Sequence, residues 1–255
     1  MRRGDQRFAA RDPIPLRRDR LSEPEIEVAR RERREPRFTQ WDYLHLAGLR
    51  RGLLAGFRVV SVQDGPVLDL YCGTKPYLEL IPWNPVWGAD IDLHFGRADV
   101  LGTLPLPFRD AAFEVVLCSQ ALHLVNDPVA TVDEIGRVLA PGGYAIVTIP
   151  HLFLAEGDFE RHWSRGDLGD LFAGWRDVRI GGVDGPGAAL AFVLGRLAML
   201  VARRLRLPRW VSTSIFVGIN AVCTLLDVLL APIKQRWPHS LVLIARPTSY
   251  QSSSA

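Results

Sequence analysis

Short β-rich runs alternate with helix-like runs through the middle of the chain, and this alternation restricts the fold more than any other feature. Four such runs are bounded by turn residues: Val67–Leu70, Val86–Asp90, Phe113–Cys118 and Tyr144–Ile149. Between the last two, residues 127–139 have apolar positions at helical spacing, and the Pro-Gly-Gly that begins at Pro141 is expected to end this helix. Strands that alternate with helices form parallel βαβ units, so the sequence predicts a doubly wound, Rossmann-like α/β sheet.

The same patterns extend on both sides of these runs. Apolar residues at helical spacing predict helices over 38–57 and 165–175. Short apolar runs predict a strand near 178–180 and a last strand over 239–245.

Charge is distributed unevenly although the chain carries only +3 in total. Residues 1–37 hold 12 basic and 8 acidic residues, and residues 196–246 hold 8 basic and 1 acidic residue, so the middle of the chain is acidic. The basic ends lack the interleaved aromatic residues of a nucleic-acid platform, and we expect no nucleic-acid partner.

Residues 1–37 contain few large apolar residues and are predicted to be a mostly disordered tail, in which a short helix around 23–34 or a partner-binding role are the alternatives. Residues 248–255 are predicted to be a second disordered tail. The three cysteines are far apart in sequence, and no signal-peptide pattern precedes them, so we expect reduced thiols and a cytoplasmic protein. No His or Cys cluster has metal-ligand spacing, and no metal is expected.

Residues 186–237 interrupt the strand–helix rhythm with two long apolar runs, 188–202 and 210–233. The second run is long enough to span a membrane, but Asn220 and Asp227 near its centre disfavour insertion. We therefore predict an amphipathic helical pair that either packs on the domain as a lid or lies on a membrane surface, with four arginines between the helices.

The stretch 67–77, VLDLYCGTKPY, places a buried strand before a turn of small residues. Such a turn at the carboxyl end of a central strand is where an open α/β sheet binds ligands, and Gly73 lets a ligand approach the backbone closely. The second strand ends in carboxylates within GADID (88–92), where an acid can accept both hydroxyls of a ribose.

Three later segments follow in order: LPLPF (104–108), FEVVLCSQ (113–120) and RVLAPGG (137–143). Together with the two preceding motifs they resemble, in order and spacing over about residues 65–150, the class I methyltransferases that use S-adenosylmethionine (SAM), of the small-molecule type called type 11. The resemblance implies a seven-stranded sheet with an antiparallel last strand. The domain would span 38–185 plus the last strand, 238–247, with the helical insert before that strand.

The resemblance also implies roles for individual residues. Asp69 and Gly73 would hold the amino-acid part of SAM, with the backbones of Tyr71 and Cys72 alongside. Asp90, with Ile91 after it, would take the ribose. The remaining cofactor residues would be Asp99 and Val100 at the adenine, and Ser119 and Gln120 at the methionine and the reacting methyl.

Two positions depart from the family pattern: Tyr71 stands where most members have glycine, and His123-Leu124 replaces the usual Glu-His pair. A tyrosine at positive φ costs about 1 kcal/mol or more. The alternative interpretation is therefore a catalytically weakened binding or scaffold protein on the same fold. A nicotinamide-dependent oxidoreductase is disfavoured because the turn lacks a GxGxxG pattern.

The acceptor side is less defined by the sequence. His151 and His123 are weak candidates for a general base. Asp158, His162 and Trp163 lie in a loop expected to cover the substrate. We expect methyl transfer to an oxygen of a small molecule, glycan or lipid, with peripheral membrane contact through the insert as an open alternative.

Overall fold

Seven strands form one mixed sheet at the centre of the protein. The computed structural model describes residues 20–91, 97–152, 161–232 and 236–248. The strands are β1 Val67–Leu70, β2 Val86–Asp90, β3 Val100–Leu101, β4 Phe113–Ser119, β5 Leu139–Pro150, β6 Arg176–Val183 and β7 Ser240–Arg246.

Within the described residues, six α-helices accompany the sheet. They are α1 Glu23–Arg34, α2 Tyr43–Val59, α3 Pro128–Val138, α4 Arg165–Leu171, α5 Pro186–Arg204 and α6 Arg209–Leu229.

The strand order is β3-β2-β1-β4-β5-β7-β6. Strands β1 to β5 pair in parallel, and β7 runs antiparallel to both β5 and β6. The predicted Rossmann-like α/β sheet with a helical insert before the last strand is confirmed. The chain order reverses between β1 and β4, so the crevice beyond their carboxyl ends is where such a sheet binds ligands.

Hydrophobic cores lie on both faces of the sheet. On one face, Ile135 of α3 and Leu168 and Phe172 from the α4 region pack against strand residues such as Leu68 and Val116. On the other face, α2 packs its apolar stripe against the sheet through Leu49, Leu53 and Phe57. The helical spacing of apolar residues in α2 therefore corresponds to its buried stripe.

Some element boundaries differ from the predicted ones. Strand β5 begins at Leu139, directly after α3, so the Pro-Gly-Gly run lies inside a strand and not in a turn that ends the helix. Helix α4 ends at Leu171 where the pattern predicted 175, and α2 begins at Tyr43 where it predicted 38.

Helix α1 occupies residues 23–34, where the sequence offered a short helix as the alternative to a mostly disordered tail. A capping box at Ser22 starts the helix: the Ser22 backbone N–H donates to Glu25 Oε2 at 2.8 Å. Ile26 is only 2% exposed, which fixes the helix on the domain. The charged composition of the segment favoured disorder, but the burial of this one apolar residue stabilises the helix against the domain. Residues 1–19 and 249–255 lie outside the described residues.

Helices α5 and α6 form the insert and pack on the domain as an antiparallel hairpin. The Asn220 side-chain amide of α6 donates to the carbonyl oxygens of Phe38 and Gln40, at 2.8 Å each. The Asp227 carboxylate accepts hydrogen bonds from the backbone N–H groups of Gly187 and Ala188, at 2.7 and 3.2 Å, and so caps the start of α5. Asn220 therefore faces the domain, and Asp227 faces the partner helix α5.

Candidate functional site

The turn after β1 is tight and has three residues in the left-handed region. Tyr71, Gly73 and Lys75 have φ of 57°, 52° and 51°. The backbone N–H groups of Tyr71 and Cys72 both donate to the Ala89 carbonyl oxygen, at 2.7 and 3.2 Å. These bonds hold the turn against the end of β2, so the backbone of the turn faces the crevice.

Asp90 links β2 to this turn. Its Oδ2 accepts a hydrogen bond from the Gly73 N–H at 2.8 Å, and its Oδ1 accepts one from the Ile91 N–H at 2.8 Å. The side chain is buried, so its position is determined by backbone donors on both sides. A hydroxyl-rich ligand in the crevice would meet a carboxylate that is already oriented.

Asp69, the last acidic residue before the turn, is also buried. Burial raises its pKa to about 7; Lys75 lowers the pKa, and the neighbouring Asp90 raises it. Two carboxyls thus lie close together at one end of the crevice, an arrangement suited to a cationic ligand group.

Lys75 is a functional candidate that the sequence motifs did not identify. Its Nζ contacts Asp99 Oδ2 at 2.5 Å, and the Gly88 N–H donates to the same oxygen at 2.7 Å. Although burial raises the pKa of Asp99, the hydrogen bonds from Gly88 and Lys75 bring it below its ordinary value. A Cβ added at Gly88 would lie 2.2 Å from Lys75 Cε, so the glycine makes room for the lysine.

A cavity of about 310 Å³ opens between the β1 turn and the ends of β2 and β4. Its wall includes eight of the ten predicted cofactor residues: Asp69, Tyr71, Cys72, Gly73, Asp90, Ile91, Ser119 and Gln120. The other two, Asp99 and Val100, are not among its lining residues. We name this space the cofactor cavity.

Ser119 and Gln120 are fixed by Thr148 of β5. The Ser119 and Thr148 hydroxyls lie 3.0 Å apart, and the Gln120 N–H donates to the Thr148 carbonyl oxygen at 2.8 Å. Gln120 has φ of 54°, which directs the chain sharply away from β4. In the sequence, the only indication of this role of Thr148 was that it is a polar residue within an apolar strand.

Helix α1 closes one side of the cofactor cavity. Leu21, Ala29 and Arg33 line its wall. Ion pairs of Arg34 with Glu79 and of Arg97 with Glu23 hold the helix in place. The N-terminal segment therefore forms part of the site, which its composition did not predict.

A second cavity of about 290 Å³ adjoins the first and shares four wall residues with it: Arg33, Tyr77, Gln120 and Leu124. Its remaining wall comes from α2, α5, the β4–α3 connection and the ends of β5 and β7, namely Trp41, Asp42, His45, Leu46, Leu49, His123, Pro150, Phe192 and His239. We name it the second cavity.

Burial sets the protonation of the ionisable groups in the second cavity. It raises the pKa of Asp42 to about 6 and lowers that of His123 to about 4. Burial also lowers the pKa of His239 to about 4, and that of His45 falls well below its usual value for the same reason. The three histidines are therefore neutral near pH 7.

Most of the predicted acceptor-side residues lie away from both cavities. His151 has its Nδ1 2.6 Å from the Trp163 carbonyl oxygen, and the Trp163 ring is buried in the core beside β5. The exposed His162 lines neither cavity. Asp158 lies outside the described residues. Only His123, of the predicted acceptor-side residues, lines the second cavity.

Metal binding has no support in the part of the chain that the structure describes, which holds no group of three His, Cys, Asp or Glu residues placed to share an ion.

Comparison with known proteins identifies the type of domain. Residues 68–147 match the family model described as a methyltransferase domain. No curated protein matches the chain.

Solved structures share the fold at low identity. The [4+2]-cyclase SpnF is 21% identical, with 81% of this chain and 83% of that chain covered and a TM-score of 0.53. A putative sarcosine dimethylglycine methyltransferase from Galdieria sulphuraria is 16% identical, with 78% and 85% covered and a TM-score of 0.51. Since one neighbour is a cyclase, the fold by itself does not specify methyl transfer.

Proposed function

We propose that this chain, whose residues 68–147 match the model of a methyltransferase domain, is a class I SAM-dependent methyltransferase that binds SAM in the cofactor cavity and transfers its methyl group to an acceptor in the second cavity. The observation that carries the proposal is the placement of eight predicted cofactor residues around one cavity at the point where the strand order reverses.

The residues around the cofactor cavity fit this cofactor. Asp69 and Asp90 provide negative charge for an ammonium and for ribose hydroxyls, and Arg33 of α1 provides positive charge for a carboxylate. When bound, SAM supplies an electrophilic methyl group on a sulfonium. The protein contributes mainly by aligning an acceptor atom behind that methyl group.

The acceptor is proposed to be an oxygen on a small molecule, glycan or lipid. The second cavity meets the cofactor cavity at Gln120, one of the residues expected near the reacting methyl. An acceptor there would lie beside the cofactor. It could then take the methyl group directly, and no protein side chain would need to act as a nucleophile.

Calorimetric titration with S-adenosylhomocysteine (SAH) tests the cofactor site. We expect saturable binding with a Kd in the micromolar range, and a weaker Kd for Asp69→Asn. Asp177→Asn, an exposed change on β6, is the matched control. Absence of binding at millimolar SAH would contradict the proposal and would favour the scaffold alternative that Tyr71 suggested.

We further propose that the insert contacts an anionic membrane surface. Helices α5 and α6 are both long and apolar enough to cross a bilayer, judged by length and composition alone. However, Asn220 ties α6 to the domain and Asp227 ties α6 to α5, so a surface position fits better than a span.

The exposed apolar side chains on the outer face of the hairpin also support the membrane contact. With Asn220 and Asp227 directed inward, α6 exposes large apolar side chains on its outer face, with Val222 67% and Leu229 68% exposed. A monomeric soluble protein rarely exposes a contiguous apolar patch of this kind.

Charge at the tip of the hairpin complements anionic lipids. Residues 203–209 contain four arginines and no acidic residue. Trp210, which is 73% exposed, lies beside them, and tryptophan is typical of the membrane–water interface.

Co-sedimentation with vesicles tests this contact. We expect binding to phosphatidylcholine vesicles that contain 30% phosphatidylglycerol, by a ~tenfold margin over pure phosphatidylcholine, since basic residues contribute about 1 kcal/mol each near such a surface. Val222→Gln combined with Leu229→Gln should reduce the binding, whereas Trp87→Gln, an exposed apolar change on β2, should not. Equal binding by all three proteins, or concentration-dependent dimerisation that the double variant abolishes, would contradict a membrane partner.

A cytoplasmic location remains a prediction. It is supported by the three cysteines, which are buried free thiols.

A further inference from the structure

We infer that the second cavity binds an uncharged, ring-shaped acceptor through a hydroxyl group, and that His239 accepts the proton of that hydroxyl. The inference rests on the proposed function, because it concerns the acceptor of the same methyl transfer.

His239 reaches the site because β7 is antiparallel. The residue directly precedes β7, whose first residue, Ser240, pairs with Pro150 at the end of β5. The start of an antiparallel strand lies at the same edge of the sheet as the carboxyl ends of its parallel neighbours. His239 is therefore brought beside the residues that follow β4 and β5.

The tautomer of His239 is determined by one hydrogen bond. Its Nδ1 lies 2.7 Å from the Leu152 carbonyl oxygen, and a carbonyl can only accept, so Nδ1 carries the proton. Nε2 of the neutral ring is then an acceptor. The residue is 1% exposed, and Nε2 has no hydrogen-bond partner within the described part of the chain.

Two further buried polar atoms of the second cavity share this condition. His45 Nδ1 and the Tyr77 hydroxyl likewise have no partner among the described residues. Buried polar groups are normally hydrogen-bonded, so these atoms offer hydrogen-bonding positions to a ligand with hydroxyl groups in the cavity.

Aromatic rings form the apolar part of the wall. Phe192 of α5 contacts Trp41, His45 and His239, with ring centroids 5.3, 5.4 and 5.3 Å apart. His45 and His239 meet edge to face at 4.8 Å. A flat ligand ring suits such a wall better than a flexible chain.

The charges of the second cavity favour a neutral ligand. Arg33 and Asp42 contribute opposite charges, and burial keeps the histidines uncharged. An ammonium or a phosphate would each meet one unfavourable charge and no charged histidine.

The acceptor oxygen forms a bond to the methyl carbon, the electron pair of the broken carbon–sulfur bond stays on sulfur, and the hydroxyl proton passes to His239 Nε2. Burial lowers the pKa of His239 to about 4, so the ring then releases this proton readily to water. The hydroxyl becomes strongly acidic as its oxygen is methylated, so a weakly basic imidazole suffices.

Nitrogen NMR of histidine-labelled full-length protein tests the inference, with phenol as the hydroxyl probe and SAH at saturation. We expect phenol to shift the unprotonated Nε2 signal of His239, identified by its loss in His239→Asn. Anisole, which has the same ring without a donor, should leave the signal in place and bind about fivefold or more weakly. Benzylammonium should bind more weakly than phenol.

His239→Asn keeps an N–H near the position of Nδ1 but has no counterpart of Nε2. We expect it to retain wild-type SAH affinity and to bind phenol about fivefold more weakly. Phe192→Ala should also weaken phenol binding, and it tests the cavity even where the histidine variant fails to fold.

The outcomes separate the two proposals. Failure of SAH to bind would contradict the proposed function. Normal SAH binding, together with a His239 signal that phenol and anisole move equally, would overturn this inference alone. Tighter binding of benzylammonium than of phenol would also overturn it.

Discussion

The cofactor cavity and the second cavity adjoin each other, yet they are built from the sequence in different ways. The cofactor cavity takes most of its wall from three short segments that each follow a strand, and backbone hydrogen bonds to Asp90 and Thr148 fix their shape. The second cavity takes its wall from side chains that are far apart in the chain, from Arg33 to His239. A cavity made of local turns can be recognised from motifs, whereas one made of distant side chains depends on the assembled fold.

The largest effect is expected from Asp90→Ala. The substitution removes the acceptor of two backbone hydrogen bonds, each of ~1.5 kcal/mol when the acceptor is charged, and frees the Gly73 turn. We expect SAH affinity to fall about 100-fold, measured by calorimetry. Phenol binding to the second cavity should change less than threefold, and Asp177→Ala is the control. An equal loss of both ligands would show that the two cavities are one unit.

Asn220→Ala should have the opposite selectivity, weakening the binding of phenol more than that of SAH. The substitution removes two hydrogen bonds that dock α6 on the domain and leaves two carbonyl oxygens unpaired, so we expect a loss of ~2 kcal/mol in the free energy of unfolding. Urea titration measures it. Phenol binding should weaken because α5 carries Phe192, whereas SAH affinity should stay within twofold. Ser214→Ala, which removes only a local bond to the Trp210 carbonyl oxygen, should cost less than 0.5 kcal/mol, as is usual for surface changes.

The same contrast explains what the sequence could predict. Strands β1 and β2 were predicted residue by residue, because a buried strand between turns is a local pattern. The capping box at Ser22 is also local, but only the burial of Ile26 turns α1 into part of the site, and burial is a tertiary property.

The insert and the acceptor side show the same limit. The periodicity of α6 separated a polar from an apolar face but did not indicate that the polar face points inward. His239 had no motif around it, and only the antiparallel direction of β7 places it at the site.

The pH dependence of ligand binding should also differ between the two cavities, with SAH as the ligand of the first and phenol as the ligand of the second. Burial raises the pKa of Asp69 to about 7, so this carboxyl loses its proton as the pH rises through 7 and then attracts a cationic ligand group. We expect SAH affinity to increase about tenfold from pH 6 to pH 8, the change in ionised fraction for such a pKa. Asp69→Asn should remove this dependence, and phenol binding should change less than about twofold over the same range, since Asp42 of the second cavity has a pKa of about 6 and is already half ionised at pH 6. A flat profile in the wild type would contradict the assignment.

The same shift has an opposite effect on stability. The folded-state pKa of Asp69 lies above its ordinary value of 3.8, so the native state binds more protons than the unfolded state between pH 4 and 7. The contribution of Asp69 to stability is therefore complete below about pH 4 and is lost as the pH rises through 7. The difference between wild type and Asp69→Asn in urea titrations at pH 5 and pH 8 measures it. A difference that does not change with pH would contradict the raised pKa.

The smallest effect is expected from Tyr71→Gly, at one of the two positions where the sequence departs from the methyltransferase motifs it resembles. Glycine relieves a left-handed backbone strain of ~1 kcal/mol but removes a ring that packs on the core and contributes ~2 kcal/mol. We therefore expect a net loss of about 1 kcal/mol in stability. SAH affinity should change less than threefold, because the cofactor cavity persists with the ring in its wall. Tyr71→Phe, which keeps ring and strain, is the control. A tenfold gain in affinity for the glycine variant alone would instead show that the ring obstructs the cofactor.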